Sequence, residues 1–262
     1  MVRTLDVGQP LQWLGRAWRD MTRCGWVSVL HGVVVAAAGA LMLWLAQGRF
    51  WFMAGAFSGF LLVGPVLATS LYALSRSLER GQTASFSVVL KTWLNWQDGR
   101  LQAWGDVQWR LVKFGVMLAL AGTLWVLVSA GLISWLAPAP IPTAQAFVAH
   151  VVLAQESWLF EVWLALGGAL VAPIFASTVV TAPLLLDRQI SVKQAMATSW
   201  QVIFANPVPM ALWGALIMLL TLVGFATALV GLVVLVPLLG HASWHAYRDV
   251  LDVSGLSERE HN

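Results

Sequence analysis

Five stretches of the chain carry no charged residue: Arg23 to Arg49, Arg49 to Arg76, Lys113 to Glu156, Glu161 to Asp187 and Lys193 to Arg248. Each is long enough for a helix to cross a hydrocarbon core of roughly 30 Å, which takes about 20 residues. The last exceeds one crossing, and Asn206, Pro207 and Pro209 punctuate its start, so it divides into two short helices. The pattern predicts spans near 26–46, 51–74, 113–136, 162–184, 208–224 and 227–246. All six belong to one transmembrane domain over residues 1–252, followed by a polar cytoplasmic tail at 253–262. One long fifth helix is the rival reading, and it would move Arg248 to the opposite side of the membrane.

Two shorter segments alternate differently. Over 86–94, Phe86, Val89, Leu90, Trp93 and Leu94 share one helical face, with Lys91 and Asn95 off it. Over 11–20, Leu11, Leu14 and Trp18 interleave with Arg16 and Arg19. Both are expected to lie flat at the membrane surface, apolar face inward, with the basic residues toward anionic lipid.

Composition agrees. Apolar residues make up 59% of the chain and charged residues 10%, against about a quarter in soluble domains, so the fold class is all-α membrane protein. If six spans alternate, only Arg49 lies on one side and the other 14 of the 15 basic residues on the other. Cytoplasmic loops are enriched in Lys and Arg, which places both termini in the cytoplasm and the 137–157 loop outside. The 16 tryptophans fall near the two expected interfaces, as in an aromatic belt. The first apolar run lacks a small-x-small cleavage site and is read as a retained span. The basic residues serve as topological signals, so nucleic acid is not an expected partner, whereas the lipid bilayer is. The lone Cys24 allows no internal disulfide and is read as a small buried residue.

An internal repeat is visible. Aligning Pro65 with Pro173 brings Glu79-Arg80 onto Asp187-Arg188, each acidic residue 14 positions after its proline. Pro237, followed by Tyr247-Arg248-Asp249, reads as a shortened third copy. Three αα-hairpin units are expected, each with a cytoplasmic amphipathic segment, an outgoing span and a proline-bearing returning span. Parallel units of this kind imply pseudo-threefold symmetry about the membrane normal.

Candidate chemistry is sparse, and no catalytic motif or nucleotide loop is present. His241 and His245 lie one turn apart on the last span, and His31 lies at similar depth on the first, so a metal or haem site is the sharp reading. Interfacial side chains bonded to neighbouring helices are the alternative. Glu161, at the outer end of the fourth span, is read either as part of an ion path or as a charge on the positive end of a helix dipole. Pro65, Pro173 and Pro237 are expected kinks. Glu79 with Arg80, Asp187 with Arg188, and Arg248 with Asp249 are expected to form interfacial ion pairs that end the returning helices. Small residues such as Gly55 and Gly59, or Gly224 and Ala228, recur at close-packing intervals.

The segments LQWLGRAWRDMTR (residues 11–23), SGFLLVGPVLATSLYALSRSLERG (58–81) and PLLGHASWHAYRDV (237–250) resemble the DUF2189 family of bacterial integral membrane proteins. The resemblance covers most of the chain and is most specific through GFLLVGP, SRSLERG and GHASWHAYRD. It implies the bacterial inner membrane and supplies no activity. Some family labels point toward cytochrome c oxidase, but the chain lacks the many-helix, six-histidine framework of a catalytic oxidase subunit. The expectation is a non-enzymatic accessory, assembly or scaffold component of a membrane complex, with other membrane subunits as partners; the family label alone points to a respiratory one. The alternatives are a small-solute or lipid transporter, and third, a haem- or metal-handling protein.

Overall fold

The computed structural model describes residues 1–94, 110–154 and 157–258, and of residues 60–63 only the backbone. Asn95 and Glu156, named above, lie outside the described residues, as do Arg100 and Arg259 among the 15 basic residues and Trp96 and Trp109 among the 16 tryptophans. The described chain is helical: α1 (Gln9–Cys24), α2 (Trp26–Leu45), α3 (Phe50–Leu67), α4 (Thr69–Glu79), α5 (Phe86–Leu94), α6 (Arg110–Leu136), α7 (Ala144–Phe147), α8 (Leu159–Thr178), α9 (Thr181–Asp187), α10 (Val192–Ala205), α11 (Pro207–Ala226) and α12 (Leu232–Val250). A π-helical turn, Val148–Val152, follows α7. Among the described residues the only bridges of β type are two isolated ones, Val2 with Leu251 and Arg188 with Glu258.

Among the described residues four segments are long and apolar enough to cross a membrane: α2, α6, Leu159–Asp187 (α8 with α9) and α11. The second and sixth expected spans are not among them. The second runs through residues 60–63, of which only the backbone is described, and it divides at Ala68 into α3 and α4. Pro65 lies just before the break and removes a rung of the backbone ladder. The sixth begins at Leu232 rather than 227, because Ala228 and Leu229 adopt positive φ of 52° and 71°. Thr227 secures that turn, its hydroxyl accepting the Gly231 N–H at 2.8 Å. The latter half of α12 then carries His241, Ser243, His245 and Arg248, which lowers its hydropathy.

The helices gather into two compact bodies. The larger comprises residues 1–37, 65–115 and 176–262. Here α1 packs on α12, and α4 packs on α12, α5 and α9. Its interior holds Trp13, Trp213, Trp244, Tyr247, Leu71 and Leu74, all almost inaccessible. Trp13 meets Trp213 edge to face, with ring centroids 5.5 Å apart, the arrangement favoured by the ring quadrupoles. Two glycines set helix spacing: a Cβ on Gly32 of α2 would overlap the Val233 carbonyl of α12, and one on Gly240 of α12 would overlap the Leu71 side chain of α4.

The amphipathic α1 divides its apolar residues between two faces. Trp13, Ala17, Asp20, Met21 and Cys24 face the core, whereas Leu11 and Trp18 remain more than half exposed on another face. Gly25 ends the helix at φ 56°, a conformation that favours glycine, with its N–H returning to the Met21 carbonyl. In α5 the expected apolar face is also shared out. Val89 joins Cys24, Val27, Leu71 and Leu74 in a buried cluster, while Leu90 and Leu94 stay exposed.

The smaller body comprises residues 38–64 and 116–175. Ile133, Ile141, Val151 and Leu159 form its core, ringed by Phe50, Trp51, Phe147 and Trp163. Trp163 donates its indole N–H to Ser129 Oγ at 2.5 Å. Part of the segment expected as a loop at 137–157 is helical here, since Thr143 caps α7 by accepting the Ala146 N–H. Glu161 lies exposed in the first turn of α8.

Candidate functional site

Three helical faces of the larger body line an open polar cavity of about 420 Å³. From α1 come Arg16, Arg19, Asp20 and Arg23, spaced i, i+3, i+4, i+7 and therefore on one stripe. From α4 come Ser75, Leu78 and Glu79, and from α12 come His245, Arg248 and Asp249, each set on a single face by the same rule.

Each carboxylate in the wall is tied to a different helix. Asp249 accepts from Gln9 Nε2 at 2.7 Å, from Trp13 Nε1 at 2.8 Å and from both terminal nitrogens of Arg16. Glu79 accepts from Arg248 at 2.7 Å and from Trp244 Nε1 at 3.1 Å, joining α4 to α12. Asp20 accepts from Ser75 Oγ at 2.7 Å and His245 Nε2 at 2.9 Å, joining α1 to both. Burial by itself would raise the Asp249 carboxyl, but the bonds from Arg16, Gln9 and Trp13 hold it below the ordinary carboxylate range. The same balance holds Asp20 low through His245 and Ser75.

From Asp20 a hydrogen-bonded chain leads inward, and its directions follow from donor inventory. Ser75 gives its proton to Asp20, so its oxygen accepts from His241 Nδ1 at 2.7 Å. His241 Nε2 then accepts from the Ser28 hydroxyl at 2.8 Å, which makes His241 the neutral Nδ1–H tautomer. His241, Ser75 and Ser28 are essentially inaccessible. His31 is bonded separately, its Nδ1 to the Val27 carbonyl at 2.8 Å and its Nε2 to Ser70 Oγ at 2.6 Å.

The three histidines thus do not assemble a shared ligand set; each ring is engaged by serine, carboxylate or backbone. Among the described residues no group of three or more His, Cys, Asp or Glu side chains is arranged to hold a metal ion.

The charged pairs expected at the helix ends are partly rearranged. Asp187 and Arg188 are in contact at 3.0 Å, but Glu79 pairs with Arg248, Arg80 with Glu258 at 2.6 Å, and Asp249 with Arg16. Adjacent residues on a helix point about 100° apart, so neighbours in sequence reach different partners. Arg188 is the exception because it has left the helix, at φ −126° and ψ 155°. Asp187 also takes Arg76 Nε at 2.7 Å and the Tyr247 hydroxyl at 2.7 Å, a buried cluster that links α4, α9 and α12. Pro65, Pro173 and Pro237 lie inside α3, α8 and α12.

The sequence reading missed Asp20, Ser75, Ser28 and Arg76. The available signal was a lone acid inside the basic α1 and a run of small polar residues, Thr69, Ser70, Ser75 and Ser77, on one short helix.

No curated protein and no solved structure matches the chain. The family described as "Predicted integral membrane protein (DUF2189)" matches residues 52–187, from α3 through α9, and so contributes the α4 wall of the cavity. With apolar helices of membrane-crossing length and this match over half its length, the chain belongs to the DUF2189 family of integral membrane proteins.

Proposed function

We propose that the protein is a non-enzymatic accessory, assembly or scaffold component of the bacterial inner membrane, possessing six crossings and cytoplasmic termini. The observation that carries this reading is how the ionisable groups are used. Asp249, Glu79, Asp20 and Asp187 each tie two or more helices together, and charged hydrogen-bonded networks of this kind rigidify a fold. Helix order supports the three-unit plan. The amphipathic α1, α5 and α10 precede the outgoing α2, α6 and α11, while α3 with α4, α8 with α9, and α12 each contain a proline and end near an acid. Extraction in mild detergent followed by mass spectrometry should recover another membrane protein in fixed proportion. Recovery of the chain alone would reject the reading.

A second reading, small-solute or lipid transport, draws on the chain from Asp20 through Ser75 and His241 to Ser28, which leads from the cavity into the protein interior. Proton-linked flux in vesicles should then fall with Ser75→Ala, and with Glu161→Gln if the outer carboxyl takes part. Flux indifferent to both would remove this reading.

A further inference from the structure

We infer that the cavity between α1, α4 and α12 is a binding site for a phosphate-bearing anion, and that its occupant is the headgroup of an anionic lipid. The wall carries four arginines and three carboxylates. Those carboxylates are already satisfied: Asp249 by Arg16, Gln9 and Trp13; Glu79 by Arg248 and Trp244; Asp20 by His245 and Ser75. Arg19 and Arg23 have no carboxylate partner among the described residues; Arg19 reaches only the Gly15 carbonyl, at 3.5 Å. Two guanidiniums one turn apart at the rim of a cavity can present paired N–H forks to phosphate oxygens, and this bidentate geometry is where arginine outperforms lysine.

The choice of lipid over a dissolved anion comes from the next face of the same helix. Leu11 is 58% and Trp18 51% exposed, and both lie on the side of α1 turned away from its buried Trp13 and Ala17. Apolar side chains there enter the acyl boundary of a membrane only if α1 lies along it, which brings Arg19, next to Trp18 in sequence, to headgroup level. A volume of about 420 Å³ admits a phosphodiester with a small polar alcohol.

The test uses the full chain in neutral detergent, titrated with dioctanoyl phosphatidylglycerol, dioctanoyl phosphatidylcholine and inorganic phosphate, with bound species counted by native mass spectrometry. The anionic lipid should bind one per chain and at least tenfold more tightly than the zwitterionic lipid. Arg19→Gln with Arg23→Gln should weaken it about thirtyfold, roughly fivefold for each basic residue near an anionic surface. Both side chains are exposed, so thermal unfolding should be unchanged; should the double variant fold poorly, the single variants give the same readout. Arg49→Gln, in the turn between α2 and α3, should leave binding intact. Arg19→Lys with Arg23→Lys keeps charge without the fork and should lose part of the affinity, whereas full retention would reduce the site to diffuse surface charge and overturn it. Equal binding of the two lipids, or a Gln double variant that binds as wild type, would also overturn it. Inorganic phosphate displacing the lipid with equal affinity would reject the lipid as occupant in favour of a soluble anion.

Discussion

Replacing Asp187 by asparagine removes one negative charge from a site where it faces two guanidiniums and a phenol. The carboxylate is 2% exposed, with Arg76 Nε at 2.7 Å, Arg188 Nε at 3.0 Å and the Tyr247 hydroxyl at 2.7 Å. Arg76 is 5% exposed, so in the variant its charge stays buried without the carboxylate. Breaking a buried pair on one side costs about 3–5 kcal/mol, far more than the pair adds over an apolar substitute, because the remaining charge stays desolvated. For a chain of this size that corresponds to a fall of roughly 10 °C in Tm, at about 2–4 °C per kcal/mol. Thermal unfolding in detergent, followed by loss of the monodisperse gel-filtration peak, measures it. Arg76→Met combined with Asp187→Asn should cost less than the two single changes added, by a coupling of about 1–3 kcal/mol. A fall under about 2 °C, or strict additivity, would show that the cluster is hydrated and that burial does not set its energetics.

Three further outcomes are expected. Gly32→Ala must push α2 away from the Val233 carbonyl and should cost about 1–3 kcal/mol in the same assay, whereas Gly15→Ala, with open space around it, should be neutral or gain up to about 1 kcal/mol. The Asp20 and Asp249 carboxyls are held below their ordinary value, so their contribution is complete above a pH of about 4 and is lost as pH falls through the lower folded value; Asp20→Asn and Asp249→Asn should each flatten the acid limb of a Tm-against-pH curve. Burial pushes the Cys24 thiol up to about 11, so maleimide labelling at pH 7 should run about a hundredfold or more slower than for a free thiol until detergent denaturation exposes it, and prompt labelling of the folded chain would contradict the packing described for α1.

What could be read from sequence alone follows the range of the interactions. Charge-free runs report a local property, the hydropathy of one helix, and α2, α6 and α11 start and stop within three residues of expectation. The break at Ala68 leaves no such mark, since neither Gly nor Pro occupies it and Pro65 reads as a simple kink. Asp20 illustrates the other limit. Between Arg19 and Met21 it looks like one more solvated position on an amphipathic helix, and its burial depends on His245, 225 residues away. His241 and His245 stood out as a pair, but their hydroxyl and carboxylate partners are residue types too common to attract notice singly. The same holds for Glu79-Arg80 and Arg248-Asp249, where adjacency suggested local pairs and helix geometry assigned distant ones.

Arg16 and Asp249 are separated by 233 positions, and Trp13 and Asp249 by 236. At roughly 5–20 residues per second of synthesis, the first helix is complete some ten to fifty seconds before its principal partner exists. For most of that interval Trp13 has no Trp213 to pack against, and throughout it Arg16 lacks the Asp249 carboxylate. The cavity therefore stays without one wall until α12 has been made. A ribosome-stalled chain ending before residue 232 would hold all four described segments of membrane-crossing length and still lack one wall of the site.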